Sequence, residues 1–270
     1  MNTEIRFSPE QLEQFRTQGY VAVPDFWSPE EVAAMRAELE RFKAEGLLRN
    51  VATEGDGQTE SQQKANLQLC PMSPHSRLFK AMPFAPQVGA AIEQLLGETA
   101  LLQLDQVFLK PGQHGAGTSW HQDNHYFGIR ETTQGTAIWT AVHDAHRANG
   151  TMRLIPQAFH EALEHTRDGE SDHHFRCFPD ESKAVTIELP AGGALFFNYG
   201  TPHATGANTT PDERAGIALH FLTKRAREQS KFGSELRAYP VVCGPDASAG
   251  EAEYGEKMDW RQEVAHINSR

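Results

Sequence analysis

Cysteine is scarce in this chain. Cys70, Cys177 and Cys243 are odd in number, widely spaced and without a C-x-x-C pair, so neither a disulfide framework nor a thiolate zinc site is expected, and a reducing compartment fits. Positive charge is also in deficit. With 25 Lys and Arg against 36 Asp and Glu the formal net charge is -11, which argues against sequence-independent binding to a phosphate backbone, and no nucleic-acid partner is expected. A run of about 18 apolar residues, the minimum for a membrane-spanning helix, is missing. Met1 to Arg6 lacks the apolar core of a signal peptide, and a cytoplasmic protein without membrane attachment is the expectation. The 270 residues carry no internal repeat, low-complexity tract or domain linker, and this length suits one large domain with a real core.

What is present is clear punctuation. Ser8-Pro9-Glu10-Gln11 and Ser28-Pro29-Glu30-Glu31 both read as helix starts, with a capping serine and a proline at the first helical position,. Leu12 and Phe15 keep a helical spacing after the first start, and Val32, Met35, Leu39 and Phe42 after the second,. Gly19 ends the first helix before the β-prone Tyr20-Val21-Ala22-Val23. A third helix is predicted over 85–96, closing at Gly97,. Between them, 50–64 is polar and aperiodic and reads as a mobile loop. From 101 the pattern changes to short apolar runs at 101–110, 136–142, 152–155, 185–189, 194–197 and 216–222, punctuated by Gly and Pro. Such runs suggest a sandwich or barrel. The expected organisation is a single domain, with 1–100 as mostly helical support, 101–224 as the sheet core and 225–270 as a C-terminal extension.

Against this background, His121 and Asp123 lie in Trp120-His121-Gln122-Asp123, and His203 follows 80 residues after Asp123 in Thr201-Pro202-His203-Ala204-Thr205. On a strand, residues i and i+2 share a face, so His121 and Asp123 are placed to grip one ion while a distant strand supplies His203. Two neutral imidazoles and one carboxylate cover one face of an octahedral Fe(II) and leave the opposite positions open. H-x-D alone is weak, because 13 histidines and 36 acidic residues produce the triplet readily by chance,. The flanking residues raise its value.

Arg214 follows His203 by 11 positions, and with it the pattern resembles the phytanoyl-CoA dioxygenase-like family of Fe(II)/2-oxoglutarate oxygenases. The resemblance runs over most of the chain. It takes in the two Ser-Pro helix starts and the Gly-Tyr strand between them, Leu109-Lys110-Pro111-Gly112, Asn149-Gly150-Thr151 and His203-Ala204-Thr205-Gly206-Ala207-Asn208. It implies a mainly β fold with flanking helices, the double-stranded β-helix or cupin-like jelly roll of two packed antiparallel sheets. It also implies a dioxygenase that uses Fe(II), 2-oxoglutarate and O2 to oxidise a small molecule, releasing succinate and CO2. His121, Asp123 and His203 would hold the metal. Arg214 and Thr205 would receive the cosubstrate's remote carboxylate, with Trp139 and Gln106 lining that pocket. A guanidinium suits the task, because its planar fork matches a carboxylate and stays charged. Related halogenases carry a small residue in the place of Asp123, so hydroxylation is favoured here over halogenation.

For substrate contact the candidates are His125, Tyr126 and Phe127, which the chain cannot carry far from the ligand pair, and His143 at a strand end. Ile155-Pro156-Gln157-Ala158-Phe159-His160 departs from the Pro-Gly-Ser-His turn of many family members and is expected to reshape the rim of the substrate mouth. The segments 50–64 and beyond 225 are expected to border the entrance. His173 and His174, set among Arg167, Asp168, Glu170 and Asp172, read as a solvated loop rather than a second metal site. Two readings of other classes stay open: a cupin-type metal dioxygenase that works without a keto acid, and a non-catalytic jelly-roll binding module. Substrate identity and oligomeric state are not written in the sequence.

Overall fold

The computed structural model describes residues 6–231 and 239–270. Both predicted helix starts form as capping boxes. Ser8 Oγ accepts from the Gln11 backbone N–H while the Gln11 side chain accepts from that of Ser8, and Ser28 and Glu31 repeat the exchange. The helices run over Pro9–Gln18 and Pro29–Ala44, and a third over Pro86–Leu96 ends on Gly97 at φ 66°. That left-handed conformation costs glycine no Cβ clash. Among the described residues no helix is long and apolar enough to cross a membrane.

In chain order the strands are β1 (Tyr20–Val23), β2 (Arg49–Asn50), β3 (Leu67–Leu69), β4 (Ala100–Lys110), β5 (Thr118–His121), β6 (Gly135–Ala141), β7 (Met152–Leu154), β8 (Thr166–Arg167), β9 (Phe175–Arg176), β10 (Val185–Thr186), β11 (Ala194–Asn198), β12 (His203–Thr205), β13 (Arg214–Thr223) and β14 (Val241–Cys243). The larger sheet runs β1-β11-β6-β13-β4-β3-β2, with β14 also on β4, and the smaller runs β10-β7-β12-β5. All pairings in both are antiparallel. The two packed sheets make the expected jelly roll. The first 100 residues thus supply three strands, β1, β2 and β3, as well as helices.

Side-chain alternation sorts the larger sheet into two faces. Val107, Leu109, Ile138, Phe196, Ile217 and Leu219 pack against the helices through Phe15, Met35, Leu39, Phe42, Val88 and Ile92. Trp139, Leu195, Phe197 and Ala218 face inward, where Met152 and Leu154 of the smaller sheet meet them. Burying about 25 cal/mol for each Å² of apolar surface, these two layers hold the roll closed and fix which residues look into it.

The polar segment 50–64 is pinned rather than loose. Asn50 Oδ1 accepts from Ala52 and Asn66 N–H, its Nδ2 donates to the Ser61 and Lys64 carbonyls, and Gly57 N–H donates to Gly169 O at 2.8 Å. One amide side chain here replaces the strand ladder that the sequence lacks. The predicted C-terminal extension includes 232–238, which lie outside the described residues.

Candidate active site

The site is built where the smaller sheet pairs two distant strands. His121 on β5 and His203 on β12 are direct cross-strand partners, with ring centroids 4.1 Å apart. Each ring donates its Nδ1–H to the carbonyl two residues upstream: His121 to Ser119 O at 2.8 Å and His203 to Thr201 O at 2.9 Å. That fixes the tautomer and leaves both Nε2 lone pairs aimed at a common point.

Asp123 joins them by a different route from the predicted strand alternation. β5 ends at His121, and Asp123 has helical φ -57° and ψ -31° as it opens the short Asn124–Phe127 helix. The turn swings its carboxylate back, so that Oδ1 lies 3.9 Å from His121 Nε2 and 3.7 Å from His203 Nε2. One donor atom from each of the three residues lies within 4.8 Å of the others.

Burial pushes the His121 imidazole down to about 4 and His203 well below its usual range, and it pushes the Asp123 carboxyl up to about 7. Among the described residues Asp123 Oδ2 has no hydrogen-bond partner, although it is fully enclosed. Two neutral imidazoles whose Nε2 atoms converge on Oδ1 of a buried carboxylate form a donor set that a divalent cation completes,. The residues present therefore fit a facially bound Fe(II).

Deeper in the roll lie two buried cations. Arg214, at the start of β13, stands opposite Lys110, at the end of β4. The Arg214 guanidinium donates to the Asn149 and Gly150 carbonyls and sits 5.5 Å over the Trp139 ring. Lys110 Nζ donates to Thr205 Oγ1 and Gly206 O, each at 2.6 Å. Burial draws Arg214 down to about 10, and burial plus the neighbouring guanidinium draws Lys110 well below its usual range. Two enclosed cations with no carboxylate partner among the described residues make a seat for an anion. The sequence reading named Arg214, Thr205 and Trp139 but missed Lys110. Its one signal was parity, since Leu104, Gln106, Phe108 and Lys110 alternate along β4 and all border the cavity.

One cavity of about 220 Å³ joins the triad to this cation pair. Gln106, Tyr126, Phe127 and Trp139 border it, as the sequence suggested. His125 and His143 do not. His125 is exposed and stacks on His165 at 4.4 Å, because the helical turn after Asp123 points it away. His143 Nδ1 accepts from the Ala215 N–H at 3.1 Å, a backbone task outside the cavity. Conversely, His174 is no solvated loop residue. It is buried, lies nearly parallel to His121 at 5.8 Å and 16°, and borders the cavity with His173. Gln157 hydrogen-bonds Gln18, and Phe159 packs by Gly19, so the departing 155–160 turn braces the first helix and does not form the cavity wall. Neither 50–64 nor the described residues beyond 225 border the cavity.

A jelly roll carrying a facial two-histidine, one-carboxylate triad beside a buried arginine defines the non-haem Fe(II)/2-oxoglutarate dioxygenases. The family model described as phytanoyl-CoA dioxygenase (PhyH) matches residues 15–216, and the chain belongs to that family. Its relatives include an ectoine dioxygenase of Halomonas elongata, 28% identical over 252 residues, with 85% of this chain and 74% of the relative covered. The peroxisomal phytanoyl-CoA dioxygenase of Rattus norvegicus is 24% identical, with 79% and 68% covered. Among solved structures, the non-haem α-ketoglutarate-dependent carbocyclase SnoK from nogalamycin biosynthesis superposes with a TM-score of 0.69 at 19% identity, over 94% of this chain and 93% of that one. EctD from S. alaskensis, solved with 2-oxoglutarate and 5-hydroxyectoine, gives 0.68 at 19% identity over 91% and 90%. These two likenesses concern the fold.

Proposed function

We propose that this chain hydroxylates a small organic molecule at an unactivated carbon, consuming O2 and 2-oxoglutarate and releasing succinate and CO2. Fe(II), held by His121, Asp123 and His203, would supply the activation of dioxygen and the oxidising power. The protein's own groups bind, orient and exclude water. Arg214, Lys110 and the Thr205 hydroxyl take the remote carboxylate of the cosubstrate, and the Trp139 ring forms one wall beside it. Gln106 serves the iron-bound end. Tyr126 and Phe127 flank the substrate. Neither nucleic acid nor membrane has a part in this reading, and a cytoplasmic setting fits it.

The observation that carries the proposal is that the triad and the Arg214–Lys110 pair open into one cavity. A dioxygenase working without a keto acid has no use for two enclosed cations, and a binding module has no use for paired Nε2 atoms aimed at a carboxylate. Anaerobic titration of the Fe(II) protein with 2-oxoglutarate tests it. A visible charge-transfer band is expected, and its absence at saturating ligand rejects the proposal. A screen of metabolites for substrate-dependent succinate release then finds the substrate.

A further inference from the structure

His220 lies on β13, on the inward face that it shares with Arg214 and Ala218, and borders the cavity. Gln68 on β3, Gln106 on β4 and His220 occupy three neighbouring strands of the larger sheet. Diagonal neighbours on one face of a sheet are within reach of long side chains, and these three form a chain. Gln68 Nε2 donates to Gln106 Oε1 at 3.0 Å, and Gln106 Nε2 meets His220 Nε2 at 3.2 Å.

With the two amides in this orientation and a carboxylate oxygen beside Nδ1, the tautomer follows. The Gln106 oxygen is already taken by Gln68, so its amide nitrogen must donate, and His220 Nε2 must accept. The single ring proton of a neutral imidazole is then on Nδ1. Nδ1 lies 3.5 Å from Asp123 Oδ2, and neither of these two buried atoms has another hydrogen-bond partner among the described residues. A small rotation of either side chain closes the gap. Opposite His220 the β13–β4 register slips by one residue between His220 and Phe221, a bulge of the kind that re-aims a side chain beside a site.

We infer that His220 is a positioning residue for the metal ligand Asp123: held through Gln106 and Gln68, it donates Nδ1–H to Oδ2 and so keeps Oδ1 alone facing the two histidines. This rests on the triad binding metal as proposed above. A carboxylate without that donor is free to turn, so that Oδ1 is no longer held toward the two histidines. The relay also ties the ligand to Gln106, a cavity residue.

Two amide variants separate the ring's two ends. The amide nitrogen of His220→Asn falls near Nδ1 and keeps the donor to Asp123, whereas the amide oxygen of His220→Gln falls near Nε2 and keeps only the acceptor for Gln106. In anaerobic Fe(II) titrations, His220→Gln should bind the metal about 10-fold or more weakly and His220→Asn within roughly threefold of the parent, the range seen for groups that orient metal ligands. The charge-transfer band formed with 2-oxoglutarate should shift in His220→Gln and hold its position in His220→Asn. Equal affinities for both variants, or the reverse order, overturn the inference. If thermal melts show that either variant is unfolded, Gln106→Met must by itself weaken Fe(II) severalfold, and unchanged affinity there is equally fatal. A parent protein that binds no Fe(II), or gives no band, instead sinks the proposed function.

Discussion

Lys110 and Arg214 face each other directly across β4 and β13, two buried cations whose described partners are carbonyls, one hydroxyl and the Trp139 ring. Like charges set opposite each other in a sheet are destabilising, a cost that the cosubstrate carboxylate of the proposed function would offset. Arg214→Ala should weaken 2-oxoglutarate by about 1.5–3 kcal/mol, the worth of a charged hydrogen bond, with Fe(II) affinity nearly intact.

Lys110→Met should separate the pair's cost from its use. Without cosubstrate the variant should melt at or above the parent temperature, because one buried charge is gone. With saturating 2-oxoglutarate the parent should gain more, since a ligand at 100 times its Kd stabilises by about 2.7 kcal/mol. Thermal melts with and without 2-oxoglutarate give both numbers, and an equal ligand-induced gain in the two proteins refutes a role for Lys110.

The metal-free site should make stability depend on pH with two opposed signs. His121 is held at about 4 and His220 at about 3, below the ordinary 6.5, so between those values the unfolded chain binds more protons and stability is lost on acidification,. Asp123, raised from 3.8 to about 7, works oppositely: the folded chain binds its proton more tightly, and stability falls as pH rises across that window,. Buried His174 and His203 shift the same way as His121, so the histidines outnumber the carboxyl. Melts of metal-free protein should drop from pH 6.5 toward 4. Fe(II) affinity should also fall below about pH 7, because each ion bound must expel the Asp123 proton; a flat profile there contradicts the raised carboxyl.

Gly216 leaves the room that Trp139 fills. A Cβ at this position would lie 2.4 Å from the indole Nε1 and 2.6 Å from Cε2. Gly216→Ala should therefore displace the ring beneath Arg214, costing about 1–3 kcal/mol, as overpacking does. The loss should fall on 2-oxoglutarate affinity and on stability while Fe(II) binding is kept, as parallel titrations would reveal.

Asp105, on the helix-facing side of β4, accepts from the Met72 and Ser73 N–H groups at 2.6 and 2.8 Å and from Ser73 Oγ at 2.9 Å. Asp105→Ala leaves at least one buried donor unpaired, at about 1–3 kcal/mol each. Urea denaturation should report a lower midpoint with unchanged slope.

The sequence made the triad and Arg214 readable because they are tied to one another by fixed spacings and to turn residues that survive as text. Strand existence was equally readable, since β6, β11 and β13 carry apolar runs and β11 lies between Gly193 and Gly200. The rest depended on depth. Lys110 ends a strand beside Pro111, where a lysine ordinarily reaches water, and only the closed roll encloses it. His220 sits in an apolar run and reads as packing until Gln106 and Gln68 arrive from other strands. His174 stands among charged neighbours that do reach solvent, so its own burial is invisible locally. His125 was misjudged because β5 stops at His121 and the backbone then coils, rotating each later side chain by about 100° rather than 180°.

The pairing of β5 with β12 has a consequence for how the protein matures. Its two imidazole ligands belong to segments 82 positions apart that meet only after the intervening strands have found their places. All three donors would thus be gathered round a ferrous ion only in the completed roll. A chain that had not closed it would offer the ion an incomplete set and would lack the oxidant.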